Sequence, residues 1–191
     1  RKILLELLEQ RGCDITEYKN YNKNDISIMM NNNVNQDSYE LGPLDIILKD
    51  KNKNMVYVKY KLDKFKQSSK LEKLINEIYE HKITPKDTLI LLYLDRAEFK
   101  PTKENKIENY VNDKYTNKKY FIQIFGLENL LINVTKHEIV PKHEIINKTD
   151  LNKVLKDTNL ETIKNLPTIR REDPVAKFIG MRPNNVCKIT Q

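Results

Sequence analysis

The sequence predicts an α/β protein built in two parts, and three observations predict it. Up to Gly126, short apolar runs alternate with amphipathic helical stretches. Two of those runs flank a polar turn, which puts an antiparallel pair into an otherwise parallel pattern and makes the sheet mixed. Beyond Gly126 the texture changes to extended pieces and short, strongly capped helix signals. A chain of 191 residues is one large domain or two small ones. The change of texture divides it into an N-terminal α/β domain with a small mixed sheet, residues 1–128, and a small α+β domain, residues 129–191.

Residues 2–11 read as a helix. Ile3, Leu4, Leu7 and Leu8 form its stripe and Gly12 its stop. The stretch 14–40 is rich in Asn and weakly patterned, with a short helix expected over Asp25 to Met30 and Asp25 as its cap. Apolar runs at 44–48 and 55–60 surround the polar turn Asp50 to Asn54 and predict a hairpin. Ser68 or Ser69 caps the next helix. Leu71, Leu74, Ile75, Ile78 and Tyr79 repeat there at helical spacing, and His81 and Lys82 sit in the last turn, where positive charge is favoured. "TLILLYL", 88–94, is continuously apolar and so reads as a buried strand. Thr102 can cap a helix carrying Ile107, Tyr110 and Val111, and "YFIQIF", 120–125, is a strand stopped by Gly126.

In the second part, extended pieces are expected from Leu130 to Ile146, and Thr149 is expected to cap a helix bearing Leu151, Val154 and Leu155. "EDPVAKFIGM" is a compact helix signal, with Asp173 at the N-cap, Pro174 at the first helical position and Gly180 past the end. "NNVCKIT" then reads as a turn and a strand.

The net charge of +7 suggests an acidic partner, of which nucleic acid is the commonest. The 28 Lys and 22 Asn are also what an AT-rich genome encodes, so composition alone leaves both sources open. Two cysteines make no disulfide scaffold and suggest a reducing compartment. No apolar run is long enough for a membrane-spanning helix, no signal peptide is visible, and a first residue other than Met suggests that the true start is missing.

Two of the three histidines lie in "KHEIVPKHEI", 136–145. His137 and His143 are six apart, not four, and on a helix they would diverge by roughly 120°. Pro141 would break such a helix. In a strand they would share a face but stand roughly 20 Å apart. A single metal ion is therefore not expected there, and no nucleophile turn accompanies them. Extended pieces meeting at a proline are expected instead. No paired carboxylates, metal cluster or glycine-rich phosphate loop is found, and only 4 glycines are present. No catalytic residue, metal ligand or cofactor site is assigned.

"LLINVTKHEIVPKHEII" followed by "LPTIRREDPVAKFIGMRPNNVCKIT" resembles the C-terminal domain of the fifth subunit of eukaryotic RNA polymerases, a domain to which one small archaeal RNA polymerase subunit is similar over its whole length. The resemblance rests on Asn133-Val134-Thr135, on His137 through His143, on Leu166-Pro167, on Asp173-Pro174-Val175-Ala176 and on Gly180. The first two-thirds match in layout only. The family's proline loop reads Thr-Pro-Ser-Ala where this chain has Lys100-Pro101-Thr102-Lys103, and the family pattern continues past this chain's last residue into a further strand.

The resemblance implies a subunit that performs no chemistry itself. Its C-terminal domain would dock on the largest polymerase subunit, through a region including His137, Pro141, His143, Asp173, Pro174, Val175 and Gly180. Its N-terminal domain would form the lower jaw beside downstream duplex DNA, with Lys100, Pro101, Thr102 and Lys103 nearest the phosphates. Other polymerase subunits would be partners and a membrane would not. A divergent jaw beside a close C-terminal match suggests encoding by a large DNA virus. The virion and host cytoplasm would then be its locations, or the nucleus if it is cellular. Two alternatives remain. One is a free-standing basic nucleic-acid-binding module. The other is a degenerate nuclease-like domain, for which Asp45 and Glu98 stand scattered, without a lysine partner at short spacing.

Overall fold

The computed structural model describes residues 1–33, 36–62, 68–94 and 106–190. The chain forms two compact units, Arg1–Leu131 and Ile132–Gln191.

In the first unit, helix α1 (Lys2–Gln10) buries Leu4, Leu7 and Leu8. Gly12 takes a left-handed conformation that turns the chain away, with φ of 81°. Helix α2 (Lys23–Asn31) begins at Asn22 and not at Asp25. The Asn22 side chain accepts the Asn24 and Asp25 amides at 2.8 and 3.0 Å, and the Asp25 carboxylate accepts the Asn22 amide at 2.8 Å. This reciprocal box places the acidic residue three positions inside the helix, where it also favours the positive end of the helix dipole.

The sheet has the order β1-β2-β3-β4. Strand β1 (Ile46–Lys49) pairs antiparallel with β2 (Met55–Lys61), which is the expected hairpin. Strand β3 (Thr88–Tyr93) runs parallel to β2, and β4 (Phe121–Gly126) runs parallel to β3. Helices α3 (Ser68–His81) and α4 (Lys106–Lys118) lie between these strands in sequence, so parallel pairing is reached by helical crossovers. Every residue of β3 is buried, which is why its sequence shows no alternation. One face of the sheet, with Tyr57, Leu89, Leu91, Tyr93 and Ile122, joins the stripe of α3 and Val111 of α4 in a single core.

That face also carries two buried lysines. The side chains of Tyr57, Lys59 and Lys61 follow one another at the strand period of two. The Tyr57 hydroxyl donates to the Tyr39 carbonyl at 3.0 Å. The Lys59 ammonium donates to the Glu40 carbonyl at 2.8 Å and to the Asp45 carboxylate at 2.7 Å. Lys61 pairs with Asp37 at 2.8 Å, and the Leu62 amide donates to the Gln36 side chain. Residues 36–45 are thus a strap clipped to β2 by successive side chains. Asp45 also accepts the Gly42 amide at 2.7 Å and the Tyr60 amide at 2.9 Å. A Cβ on Gly42 would lie 2.5 Å from the side-chain oxygen of the buried Asn33, so a larger residue there would force Asn33 to shift. Asp45 lacks a lysine at short spacing in sequence, as expected, and the hairpin supplies Lys59 from 14 residues away.

In the second unit, strands β5 (Lys142–Ile145) and β6 (Cys187–Thr190) form an antiparallel ribbon. The last strand thus pairs back onto the proline-histidine segment. Helix α5 (Lys148–Asp157) is capped by Asn147, whose side chain accepts the Asp150 amide at 2.8 Å, and not by Thr149. Helix α6 spans Pro174–Ile179. The expected extended run from Leu130 to Ile146 is corrected. Leu127–Leu130 and Val134–Lys136 are 3-10 turns, and only β5 is a strand. Asn133 shows the cause, because its side chain accepts the Thr135 amide at 3.1 Å and the Thr135 hydroxyl at 2.7 Å. Such local bonding draws the backbone out of an extended ladder. Among the described residues, no helix is long and apolar enough to cross a membrane.

Lys59→Met leaves the Asp45 charge buried without its counter-ion, so it should lower the unfolding free energy by about 3–5 kcal/mol in urea titrations. Adding Asp45→Asn, which removes the stranded charge and keeps an acceptor, should recover part of that loss.

Candidate docking surface

The second unit is organised by one short helix. The Asp173 side chain accepts the Val175 and Ala176 amides, both at 2.9 Å, and Pro174 occupies the first turn, where its missing N–H leaves nothing unpaired. Gly180 closes the helix in the left-handed conformation, φ 75°, and the Met181 amide reaches back to the Ala176 carbonyl at 2.9 Å. The helix buries Val175, Ala176 and Phe178 and packs on β5 and on the Val134–Lys136 turn.

The two histidines of this segment make local backbone contacts. His143 is half-buried on β5, and its Nδ1 lies 2.7 Å from the Pro141 carbonyl. A carbonyl only accepts, so Nδ1 carries the hydrogen. His137 ends the Val134–Lys136 turn and is exposed, with its Nδ1 accepting the Ile139 amide at 3.4 Å. Both rings thus bond to backbone within two residues of themselves. Among the described residues, no group of three or more His, Cys, Asp or Glu side chains converges.

The ribbon has two distinct faces. By register and alternation, Lys142, Glu144, Lys188 and Thr190 share one face, and all four are exposed. On that face Lys142 and Glu144 pair at 2.7 Å, and the Lys142 hydrogen bond holds the Glu144 carboxyl below its ordinary value. His143, Ile145, Cys187 and Ile189 share the other face. That face is covered incompletely: Ile145 remains 40% exposed and Ile189 52%. Elsewhere in the unit, Ile139 is 84% exposed and Ile132 69%. Against these stand three buried apolar side chains among the unit's described residues, all on α6.

The residues singled out in the sequence fall into three groups. Asp173, Pro174, Val175 and Gly180 build α6, and Pro141 and His143 lie at and on the strand it packs against. His137 stands apart on the turn. Lys100, Pro101, Thr102 and Lys103 lie outside the described residues, as does Glu98. The sequence reading missed Ile132, Ile139 and Ile189 as surface residues. An apolar residue in a short extended piece signals burial, and nothing local marks that the covering partner is absent. It also missed the structural role of Asn133, although Asn followed two residues later by Thr is a recognisable turn signal.

The unit thus combines a small core with much uncovered aliphatic surface. Residues 132–191 match the family model described as RNA polymerase Rpb5, C-terminal domain. The chain is 43% identical over 60 residues to DNA-directed RNA polymerase subunit Rpo5 of Sulfolobus acidocaldarius, covering 31% of this chain and 70% of that protein. It is 33% identical over 69 residues to the subunit 5B of RNA polymerases IV and V of Arabidopsis thaliana, covering 36% of this chain and 31% of that one. It is 32% identical over 87 residues to RNA polymerase V subunit 5C of the same plant, covering 46% and 37%. The chain therefore spans about a third of the length of the plant relatives it matches. It belongs to the RNA polymerase Rpb5 family.

Asp173→Ala should weaken α6 by about 1–2 kcal/mol through loss of the cap. Gly180→Ala should cost about 1–2 kcal/mol by placing a Cβ in left-handed backbone. Both are read as faster hydrogen exchange at the α6 amides, with β2 and β3 unchanged.

Proposed function

We propose that this chain is a non-catalytic subunit of a multisubunit DNA-directed RNA polymerase. Residues 132–191 dock on the largest subunit, and the first unit forms the lower jaw beside downstream duplex DNA. The observation that carries the docking half is the imbalance within the second unit. Ile132, Ile139 and Ile189 are each more than half exposed, while burial of large apolar side chains is confined to Val175 and Phe178 among the described residues. A surface of this kind is covered in the working state, because leaving it in water forfeits the hydrophobic term that burial supplies. The relatives, all named as polymerase subunits, indicate which kind of assembly covers it.

The jaw half rests on the α/β layout of the first unit and on the family resemblance. Lys100 and Lys103 are the phosphate contacts it offers, held by charge and not by base recognition. Encoding by a large DNA virus is part of the same proposal. It rests on the sequence reading alone, in which the first two-thirds match the family in layout only.

The test is co-purification in high salt, which strips contacts held by phosphate charge and spares apolar docking. The tagged chain should elute with a very large complex containing the largest polymerase subunit. Ile139→Asp with Ile189→Asp should abolish that co-elution while leaving the melting curve of the free chain nearly unchanged. Elution of the unmodified chain alone, as a monomer, would refute the reading.

A further inference from the structure

Helix α1 has a second face, turned away from its buried stripe. Lys2, Leu5, Glu6 and Glu9 recur there at helical spacing, on the side opposite the buried Leu4, Leu7 and Leu8. All four line a groove of about 620 Å³, a size at which clefts take a ligand or several side chains of a partner. Lys23 and Ile26, at the start of α2, line it as well. Ile15 and the rings of Tyr18 and Tyr21 add apolar surface.

Contacts to the rest of the unit hold the groove in shape. The Arg1 guanidinium donates to the Leu44 carbonyl at 3.0 Å, and the Tyr18 hydroxyl donates to the Ile47 carbonyl at 3.5 Å. Both residues are thereby tied to β1 and the chain that enters it. The reciprocal box at Asn22 fixes the start of α2. Yet α2 buries none of its own side chains, and Leu5 and Ile26 are each only half-buried, so apolar surface stays open to the groove. The lining carries four cations, those of Arg1, Lys2, Lys19 and Lys23, against the carboxylates of Glu6 and Glu9. Glu9 is paired with Lys19 at 2.8 Å, and Glu6 is half-buried and already engaged. Lys2 and Lys23 are exposed and hold no ion pair among the described residues. Arg1 lies over the rings of Tyr18 and Tyr21 at 5.9 and 5.7 Å, which orients its charge without neutralising it.

We infer that this groove docks an acidic amphipathic segment of another protein, which sets large apolar side chains between α1 and α2 and carboxylates against Lys2, Lys23 and Arg1. The apolar lining supplies the anchor pocket that a protein contact needs, and the uncompensated cations around it select the sign of the partner's charge. A phosphate backbone fits less well. It would gain nothing from Leu5, Ile15 and Ile26, and it would meet Glu6 and Glu9 in the same lining. The groove is short, because Lys2 and Glu9 stand only about 10 Å apart along the helix axis. It therefore takes one turn of a partner helix, or a few extended residues, and not a long segment. The inference concerns the first unit alone and depends neither on docking of residues 132–191 nor on polymerase assembly.

The test uses the full chain and three fluorescein-labelled peptides of equal length in anisotropy titrations. One repeats Asp-Asp-Leu-Phe, one Asp-Asp-Ser-Ser and one Lys-Lys-Leu-Phe. The first should bind saturably, and its binding should shift backbone amide signals only in α1 and residues 15–26. The serine peptide should bind at least about tenfold more weakly, through loss of the apolar anchors. The lysine peptide should bind at least about tenfold more weakly, through like-charge contact. Lys2→Glu with Lys23→Glu should weaken the first peptide by about tenfold or more. Both changes fall in first helical turns, where acid is favoured, so the fold is kept. Lys153→Glu with Lys164→Glu, matched in charge and exposed in the second unit, should stay within about threefold of the unmodified chain. Absence of binding by the first peptide, equal binding by the lysine peptide, equal losses in the two variants, or shifts outside the groove would each overturn the inference. So would displacement of the peptide by a DNA duplex, which would make nucleic acid the occupant. Self-association of the chain that Lys2→Glu with Lys23→Glu abolishes would do the same, by making a second copy the occupant. Co-purification with polymerase is read separately, so a failure there leaves these measurements unaffected.

Discussion

The first unit depends on a charge buried where charge is costly. Lys59 lies in the middle of β2 and is fully buried, and Asp45 meets it 2.7 Å away. Taking two such ions out of water is favourable only when their remaining hydrogen-bonding capacity is also filled. Backbone supplies much of it here: the Glu40 carbonyl for Lys59, and the Gly42 and Tyr60 amides for Asp45. The same contacts fix the path of residues 36–45. An irregular, Asn-rich connection thereby becomes part of the core, and β1 enters the sheet in its observed register.

This arrangement also closes the nuclease-like alternative at Asp45. An acidic residue just before a strand could help hold a metal ion if its carboxylate faced solvent. Asp45 is buried, and both its oxygens are taken up by the lysine and by backbone amides. The pair is a structural clasp. The second unit is governed differently, because it has too few buried apolar side chains to be held by packing alone. Local devices carry more of the load there: the Asp173 cap, the Pro174 start, the Gly180 close, the Asn147 cap and the Asn133 turn. A module specified in this way can present aliphatic side chains outward and remain ordered.

Legibility in the sequence followed the range of the interaction. The helix at α3, the buried run at β3, the hairpin and the α6 signal were all readable, because each is set by periodicity or by a cap within a few residues. Errors occurred where two local signals compete. Asp25 and Thr149 both have cap-forming side chains, but a neighbouring asparagine takes the role in each case. The run from Leu130 to Ile146 looked extended from its apolar spacing, while Asn133 bends it into a turn. Family membership was legible because the 60 C-terminal residues keep their blocks in order.

By itself the sequence determined the alternation of strands and helices, the ends of α6, the absence of a histidine pair at metal-binding spacing, and the family. Each of these is written in neighbours along the chain. Only the tertiary structure decided that Lys59 meets Asp45, that the last strand pairs with the proline-histidine segment, and which isoleucines stay uncovered. The physical reason is common to all three. They depend on which strand lies beside which, and strand pairing is set by the cooperative burial of a whole core, not by any residue's neighbours in sequence.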